Sequence, residues 1–167
     1  MELRRGDHEE PRGVPQARGE IHYPDSLPPG CRLTHLKVKH MEKLKVVPSF
    51  KDERGEIIDL LENETINAVT LITFHKGAVR GNHYHKQTTQ WNYLISGSVK
   101  LVSQVPGEPS VETVMKPGDF IVTGPEVRHA LVGLVDSELM VFTKGPRGGK
   151  EYESDTFRLE VPIATGI

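Results

Sequence analysis

Short apolar runs separated by turn signals dominate the chain from Leu33 onward and limit the folds that it can adopt. The runs include "INAVTLITF", "WNYLI", "VKLVS", "DFIVT" and "ELMVF", and they are rich in Val, Ile, Thr and aromatic residues. Glycine and proline separate them at "KPGD" and "GPE", and no run sustains the period of a helix. Many short strands at roughly even spacing predict an all-β sandwich or barrel.

Length and charge restrict the class of protein further. The 167 residues are enough for one domain with its own core, and a formal net charge of -2 favours neither nucleic acid nor an anionic membrane as a partner. No apolar run approaches the roughly 20 residues that a membrane-spanning helix needs. The first twenty residues lack the apolar core of a secretory signal, and the lone Cys31 cannot form an internal disulfide, so we expect a cytoplasmic protein.

The amino-terminal residues differ in character from the rest of the chain. Residues 1–30 mix charged residues with Pro and Gly and show no hydrophobic period, so they are predicted to form a flexible arm. Residues 31–167 are then predicted to form a single domain, with the barrel running from about Leu33 to Val161.

Two histidines and a glutamine lie close together in "GAVRGNHYHKQTTQWNYLISG". Alternate side chains of a strand share a face, so His83 and His85 project together while Tyr84 points away. Gln90 begins the next run, and His129 follows a further strand and turn. Imidazoles suit Zn, Ni, Fe and Mn, so these three histidines and Gln90 are predicted to bind one divalent metal. Alternatively, Gln90 is a barrel-wall amide that hydrogen-bonds a histidine and fixes its tautomer.

The spacing in this stretch is that of the first cupin motif, G-x5-H-x-H-x4-[E/Q]-x6-G, which Gly77 to Gly97 matches at every position. Gly118 to His129 resembles the second motif, G-x5-P-x-G-x2-H, with Gly124 at the position of the proline and Glu126 at that of the glycine. Together the two motifs cover roughly residues 65–145. The resemblance implies a double-stranded β-helix, the jelly-roll barrel of cupins, with a metal or substrate site at its mouth.

Shorter stretches resemble cupins that act on nucleotide-sugars. "FKDERGEI" is similar to an opening segment of the dTDP-4-dehydrorhamnose 3,5-epimerases, and "RGNHY" matches the stretch that carries their catalytic histidine. "RGNHYHK" is also similar to the dTDP-sugar 3,4-ketoisomerases, which work without metal. The resemblance implies proton transfer next to the ketone of a 4-keto sugar, with His83 as the base and His85 or Tyr84 as its partner.

Two arginines in these stretches are candidates for binding the diphosphate of such a substrate. Arg54 and Arg80 carry guanidinium groups, whose fork of N–H donors suits phosphate oxygens. Each also has a simpler explanation. Arg54 fits a turn residue paired with Asp52 or Glu56, and Arg80 fits a salt bridge at the rim of the barrel.

Other aromatic and acidic residues are expected to be structural or to have no role. Trp91 and Tyr93 share the face opposite Gln90, where packing on the sheet or an interface accounts for them. The tail "GPRGGKEYESDTF" lacks the spacing of a phosphate loop and is predicted to be a surface loop. No mechanism is assigned to Tyr152 or Asp155 within it.

Three classes of function remain open. The leading one is an isomerase or epimerase that acts on a carbohydrate or nucleotide-sugar, and the alternatives are a metal-dependent cupin dioxygenase or other oxidoreductase and a non-catalytic cupin that binds a small molecule. A homodimer is expected because cupins commonly pair. The segment "LTHLKVKHMEKLKVV" offers alternating Leu36, Val38 and His40 that could extend the sheet of a second copy.

Overall fold

The computed structural model describes residues 41–167, so the predicted amino-terminal arm and the segment with Leu36, Val38 and His40 lie outside the described residues. Within that range the elements are β1 (Met41–Leu44), β2 (Phe50–Asp52), β3 (Gly55–Ile57), β4 (Ala68–Phe74), β5 (Val79–Tyr84), β6 (Thr89–Ser96), β7 (Val99–Gln104), β8 (Val111–Met115), β9 (Phe120–Thr123), β10 (Arg128–Gly133), β11 (Ser137–Lys144), α1 (Glu151–Ser154) and β12 (Phe157–Arg158). No helix in this range is long and apolar enough to cross a membrane.

The strands form two five-stranded antiparallel sheets and a small hairpin. The first sheet has the order β1-β9-β6-β11-β4, the second has the order β12-β5-β10-β7-β8, and β2 pairs with β3. Strands β4, β5, β6 and β7 alternate between the two sheets, as do β8 to β12. This is the topology of a jelly roll, so the predicted all-β fold is confirmed.

The hydrophobic core lies between the two sheets. Alternating residues of each strand point inward, which follows from the two-residue period of a strand. The buried residues of this core are Phe74, Leu94, Val99, Leu101, Met115, Ile121, Leu131, Leu139 and Val141. They come from both sheets, so their burial holds the sheets together.

A second apolar layer covers the outer face of the first sheet. Trp91 is buried there with Phe120 and Val122, and Tyr93 packs at its edge. The loop and strand residues that cover this face are Leu44, Val46, Leu60, Leu61 and Ile66. Packing on the sheet is therefore the observed role of Trp91 and Tyr93, as their position opposite Gln90 suggested.

The inward faces change from apolar to polar toward one end of the barrel, which we call the mouth. In the first sheet Leu139 and Val141 are followed by Thr143, which pairs in register with Gln90, and Gln90 pairs with Thr123. In the second sheet the polar residues are Ser103, His129 and His83, which are also in register with one another. A ring of buried or half-buried polar side chains therefore lines the mouth above the apolar core.

Candidate active site

Three imidazoles meet at the mouth. The ring centroid of His83 lies 4.8 Å from the centroid of His85 and 4.8 Å from that of His129. The centroids of His85 and His129 are 5.5 Å apart. The candidate ligand nitrogens all lie within 4.8 Å of one another. The structure thus brings together the three histidines that the sequence singled out.

A bulge in β5 sets the direction of two of these histidines. His83 pairs with His129 and Gly81 pairs with Ala130, so Asn82 is an extra residue in β5. Gly81 has a φ of +92°, and a Cβ there would lie 2.8 Å from the carbonyl oxygen of His129. Asn82 has a φ of 53°, which asparagine tolerates better than most residues. The "GN" of "RGNHYH" therefore shapes the strand that presents the histidines.

The bulge also fastens the end of the chain beside the cluster. The side-chain oxygen of Asn82 accepts hydrogen bonds from the backbone N–H groups of Ile163 at 2.9 Å and Ala164 at 3.1 Å. Its amide nitrogen donates to the carbonyl of Ala164 at 3.0 Å, and its own carbonyl accepts from Leu159 at 2.8 Å. The carboxyl-terminal segment is thus part of the wall around the site.

Hydrogen bonds to backbone carbonyls fix the tautomers of two histidines. Nδ1 of His85 lies 2.6 Å from the carbonyl oxygen of Asp155, and Nδ1 of His129 lies 2.9 Å from that of Val127. A carbonyl only accepts, so each Nδ1 carries the hydrogen and each Nε2 keeps a lone pair. Nε2 of His85 is buried and has no hydrogen-bond partner among residues 41–167.

Asp155 is the residue that holds His85 in place. Its carboxylate accepts hydrogen bonds from the N–H groups of Lys86 at 2.9 Å, Gln87 at 3.2 Å and Thr88 at 3.0 Å, and from the Thr88 hydroxyl at 2.6 Å. Burial alone would raise the pKa of this carboxyl, but these hydrogen bonds outweigh it and lower the pKa. The prediction of a surface loop fits residues 148–151, which are exposed, but was wrong at Asp155, which is buried.

Three further residues from this part of the chain lie close to the mouth. The Tyr152 ring lies 6.2 Å from the His85 ring, and the Arg147 guanidinium lies 4.6 Å above the Tyr152 ring. Arg158 pairs across the sheet with His83, and its guanidinium forms two hydrogen bonds with the Glu153 carboxylate at 2.9 and 3.0 Å. No pattern in the sequence indicated a role for any of these residues.

The surroundings keep the imidazoles neutral. Burial, with smaller repulsions from His129 and His85, lowers the pKa of His83 to about 3. Burial also lowers the pKa of His129 to about 4, against the hydrogen bond to Val127. The pKa of His85 is lowered by burial as well, although its bond to the Asp155 carbonyl opposes the shift. At neutral pH the cluster therefore offers nitrogen lone pairs and not N–H cations.

This donor set fits a divalent metal. Neutral imidazoles whose Nδ1–H groups donate to carbonyls are typical metal ligands. Nε2 of His85 has no hydrogen-bond partner among residues 41–167, so its lone pair is available to an ion. Nitrogens that share one ion at about 2.1 Å lie at most about 4.2 Å apart, so the widest pair would have to close slightly. Gln90 is buried on the facing sheet, between Thr123 and Thr143. Its role as a ligand stays a prediction.

The remaining predicted site residues lie away from the histidines. Tyr84 points away from the histidines and stacks on Phe157 with a centroid separation of 5.2 Å. Arg54 is in the β2–β3 hairpin, where its Nε donates to the Asp52 carboxylate at 2.8 Å, as the simpler explanation expected.

Arg80 contacts the opposite end of the barrel. Its guanidinium lies 5.7 Å from the Phe74 ring centroid, and one N–H group donates to the Thr73 carbonyl at 3.4 Å. Phe74 pairs with Ser137 at the end of β4 that is distant from the mouth, whereas Ala68 pairs with Thr143 at the mouth. No contact joins Arg80 or Arg54 to the cluster within the described part of the chain, so their binding role stays a prediction.

The second motif forms the turn that leads to His129. Glu126 stands at the position of the motif glycine and has a φ of 65°, the left-handed region that glycine adopts without strain. Its backbone N–H donates to the carbonyl of His85 at 2.6 Å. The turn is therefore preserved despite the substitution, and it connects His129 to His85.

A jelly-roll barrel with converging imidazoles at its mouth is the arrangement of the cupins. Residues 70–143 match the family model described as the cupin domain, and this range lies within the predicted motif core. The predicted resemblance to cupins is confirmed by this match. No curated protein matches the sequence.

Solved structures of similar fold include sugar-modifying enzymes. A double mutant of the QdtA 3,4-ketoisomerase from Thermoanaerobacterium thermosaccharolyticum, in complex with TDP, is 25% identical, with a TM-score of 0.57 over 72% of this chain and 86% of that one. The WlaRB TDP-quinovose 3,4-ketoisomerase from Campylobacter jejuni is 20% identical, with a TM-score of 0.62 over 72% and 94%. A dTDP-4-dehydrorhamnose 3,5-epimerase from Sulfolobus tokodaii is 18% identical, with a TM-score of 0.55 over 70% and 73%.

Proposed function

We propose that this cupin is an isomerase or epimerase that moves a proton next to the ketone of a carbohydrate, with a nucleotide-linked 4-keto sugar as its substrate. The similar solved structures are named as TDP-sugar 3,4-ketoisomerases and a 3,5-epimerase, which supports the substrate class. The "RGNHYHK" stretch that motivated this hypothesis carries two of the three clustered histidines.

The environment of His83 is the observation that carries the proposal. His85 and His129 are buried and each commits Nδ1 to a backbone carbonyl. His83 is only partly buried, and its ring forms no hydrogen bond within residues 41–167. Its nitrogens are therefore the ones that a substrate entering the mouth can reach.

His83 would take the proton from the carbon next to the ketone. Its pKa of about 3 makes it neutral and ready to accept a proton, but a weak base by itself. An enolate forming beside it would supply a negative charge that raises this pKa during the reaction. Nε2 of His85 also keeps a lone pair, but it is buried, so His85 would accept the proton from His83 and not from the substrate. Tyr84 points away from the histidines and is left without this role.

A divalent metal held by His83, His85 and His129 would act as a Lewis acid toward the ketone. The same lone pair of His83 cannot bind an ion and accept a proton at one time. The metal content of the purified protein therefore distinguishes a metal-free reaction with His83 as the base from one in which another group takes the proton.

Deuterium exchange tests the proposal. The protein is incubated with a dTDP-4-keto-6-deoxy sugar in heavy water, and NMR or mass spectrometry measures deuterium at C3 and C5. A proton held on an imidazole exchanges with solvent before it returns, so wild type should introduce deuterium and His83→Ala should not. His75→Ala is the matched control, because His75 is exposed and distant from the mouth. If several such sugars exchange no faster with the protein than in buffer alone, the isomerase function is refuted.

The geometry also supports a second candidate function, that of a metal-dependent oxidoreductase. Three imidazoles, two of them oriented through Nδ1–H bonds to carbonyls, form a ligand set that also suits iron. Elemental analysis of the purified protein tests this alternative. One equivalent of iron, together with no deuterium exchange in keto sugars, would make it the leading function.

A further inference from the structure

Arg147 spans the mouth between the two sheets. One of its terminal N–H groups lies 3.5 Å from the Thr70 hydroxyl, and Thr70 pairs with the inward-facing Val141 in the first sheet. The guanidinium also stacks over the Tyr152 ring, which lies beside His85 of the second sheet. These contacts on both sides place the positive charge above the inward face of the barrel.

This charge is not neutralised by the residues around it. Within residues 41–167 no carboxylate pairs with Arg147, whereas Arg158 is paired with Glu153. The nearby Asp155 carboxylate already accepts hydrogen bonds from the backbone of residues 86–88. The imidazoles are neutral, chiefly because burial lowers their pKa values, and the positive charge of Arg147 adds a smaller lowering for His83 and His85. The mouth therefore carries a positive charge that no carboxylate of residues 41–167 pairs with directly.

The orientation of the guanidinium leaves most of its donors available. Arginine has five N–H donors in one plane, and only one of them contacts Thr70. Stacking on Tyr152 uses the face of the group and leaves the donors at its edge free. A planar fork of this kind matches the spacing of two oxygens of a phosphate or carboxylate.

We propose that Arg147 binds an anionic oxygen group of the substrate, a phosphate or a carboxylate, next to the histidine cluster. The inference rests on the proposed function in one respect, that the histidines are the reacting centre. It assigns anion binding to a residue of the carboxyl-terminal segment, and Arg54 or Arg80 would contribute in addition. For a nucleotide-sugar, the bound group would be a phosphate of the diphosphate.

Binding of simple anions tests this inference without any need for turnover. Inorganic phosphate, thymidine diphosphate and malonate are titrated into the full chain, and calorimetry measures their dissociation constants. We expect at least one of them to bind, and Arg147→Gln to weaken that binding about tenfold or more, since a charge-assisted bidentate contact is lost. Arg147→Lys should give an intermediate value, because it keeps the charge and loses the fork. Tighter binding of thymidine diphosphate than of malonate indicates a phosphate group, and the reverse indicates a carboxylate.

Lys150→Gln is the matched control, because it removes one positive charge from the same segment at an exposed position that makes no contact with the mouth. Circular dichroism confirms that each variant is folded. If Arg147→Gln does not fold, two other measurements provide the test. One is anion binding by Arg147→Lys, and the other is the shift of the His83 and His85 side-chain ¹⁵N signals when anion is added to wild type. Equal binding by wild type and Arg147→Gln, an equal loss in Lys150→Gln, or no binding of any of the three anions would overturn the inference. Each result is separate from the deuterium exchange that tests the proposed function.

Discussion

The backbone carbonyl of Asp155 accepts a hydrogen bond from Nδ1 of His85 at 2.6 Å, although the two residues lie 70 positions apart in the chain. The Asp155 carboxylate holds the backbone of residues 86–88 at the same time. One residue therefore fixes both the tautomer of a site histidine and the loop that follows it. This connects the stability of the carboxyl-terminal segment to the chemistry of the mouth.

Replacing Asp155 should disturb both the fold and the site. Asp155→Ala leaves the N–H groups of residues 86–88 without their acceptor, so we expect the free energy of unfolding to fall by about 3 kcal/mol in urea denaturation. The carboxylate also holds the backbone of residues 86–88 beside Asp155, so its loss should move the Asp155 carbonyl away from Nδ1 and change the ¹⁵N spectrum of His85 from a single Nδ1–H tautomer to a mixture. Glu151→Ala is the control, because Glu151 is an exposed residue of the helix that Asp155 follows. An unchanged tautomer in a destabilised Asp155→Ala protein would limit the residue to a purely structural role.

The three histidines could be predicted from the sequence for a physical reason. Their positions follow from the two-residue period of a strand and from motif spacing, and both are properties of neighbouring residues. The bulge at Gly81 and Asn82 keeps His83 in register with His129, and both residue types tolerate positive φ. Local rules were therefore sufficient to indicate this part of the site.

The contribution of the tail could not be predicted in the same way. Asp155 acts through backbone N–H groups of distant residues, and backbone groups leave no pattern in the sequence. Arg147 lies in a glycine-rich stretch, where its distance to Thr70 depends on the path of the whole loop. Arg80 shows the opposite case, because its motif matches but its side chain contacts Phe74 at the far end of the barrel.

Metal loading should depend on the histidine cluster. We expect wild type to bind one equivalent of Zn²⁺ or Ni²⁺ at pH 7.5, and His85→Ala to weaken binding about 100-fold or more because one of three ligands is lost. Gln90→Ala should weaken it less than about tenfold if the amide is a weak ligand or orients a histidine. Elemental analysis after dialysis measures the occupancy, with His75→Ala as the unaffected control.

The pH dependence of loading provides a second check. The lowered pKa values of His83 and His129 mean that protons compete with metal only well below the ordinary histidine pKa of about 6.5. Occupancy should therefore persist at pH 6, in contrast to a cluster of exposed histidines. A protein that carries no metal above background and takes up none at pH 8 would exclude the metal site.

Stability of the metal-free protein should fall as the pH is lowered. The pKa values of His83 and His129 are about 3 and about 4 in the folded state and near 6.5 when unfolded, so between these limits the unfolded state binds more protons. The free energy of unfolding should therefore decrease from about pH 6.5 downward, at up to about 1.4 kcal/mol per pH unit for each histidine. Urea denaturation at several pH values after chelation measures the slope. His129→Gln should reduce it and His75→Gln should not; equal slopes in all three proteins would contradict the prediction.

The predicted homodimer has a candidate contact in the described structure. Among residues 41–167, β4 is an edge strand of the first sheet, and its Val69 and Leu71 side chains are each 58% exposed on the outer face. A strand with apolar exposed side chains and no further partner among the described strands favours association with a second copy. Light scattering should give twice the mass of 18.7 kDa, and Leu71→Lys should reduce it to that of the monomer.

Two variants distinguish the possible contacts of this dimer. Val114→Lys alters an exposed apolar residue on β8, which is at one edge of the other sheet as described, and should leave the dimer intact. Val38→Lys alters the segment that the sequence indicated, outside the described residues. Dissociation by Val38→Lys alone would assign the contact to that segment, and a monomer in wild type at micromolar concentration would refute the dimer.

Glu126 should limit the stability of the turn that carries His129. A non-glycine residue in the left-handed region costs about 1–2 kcal/mol, and Glu126 is exposed, so its side chain recovers little of this by packing. Glycine avoids this cost but has more freedom in the unfolded chain, which offsets part of the gain. Glu126→Gly should therefore raise the free energy of unfolding by about 0.5–1 kcal/mol, which corresponds to an increase of about 2–4 °C in the melting temperature. Glu126→Ala is the decisive control, because it removes the carboxylate but keeps the Cβ and should give no such gain. If alanine stabilises the protein as much as glycine does, the carboxylate and not the backbone angle is the cause. Metal loading should be the same in both variants, since the hydrogen bond from the backbone of residue 126 to His85 needs no side chain.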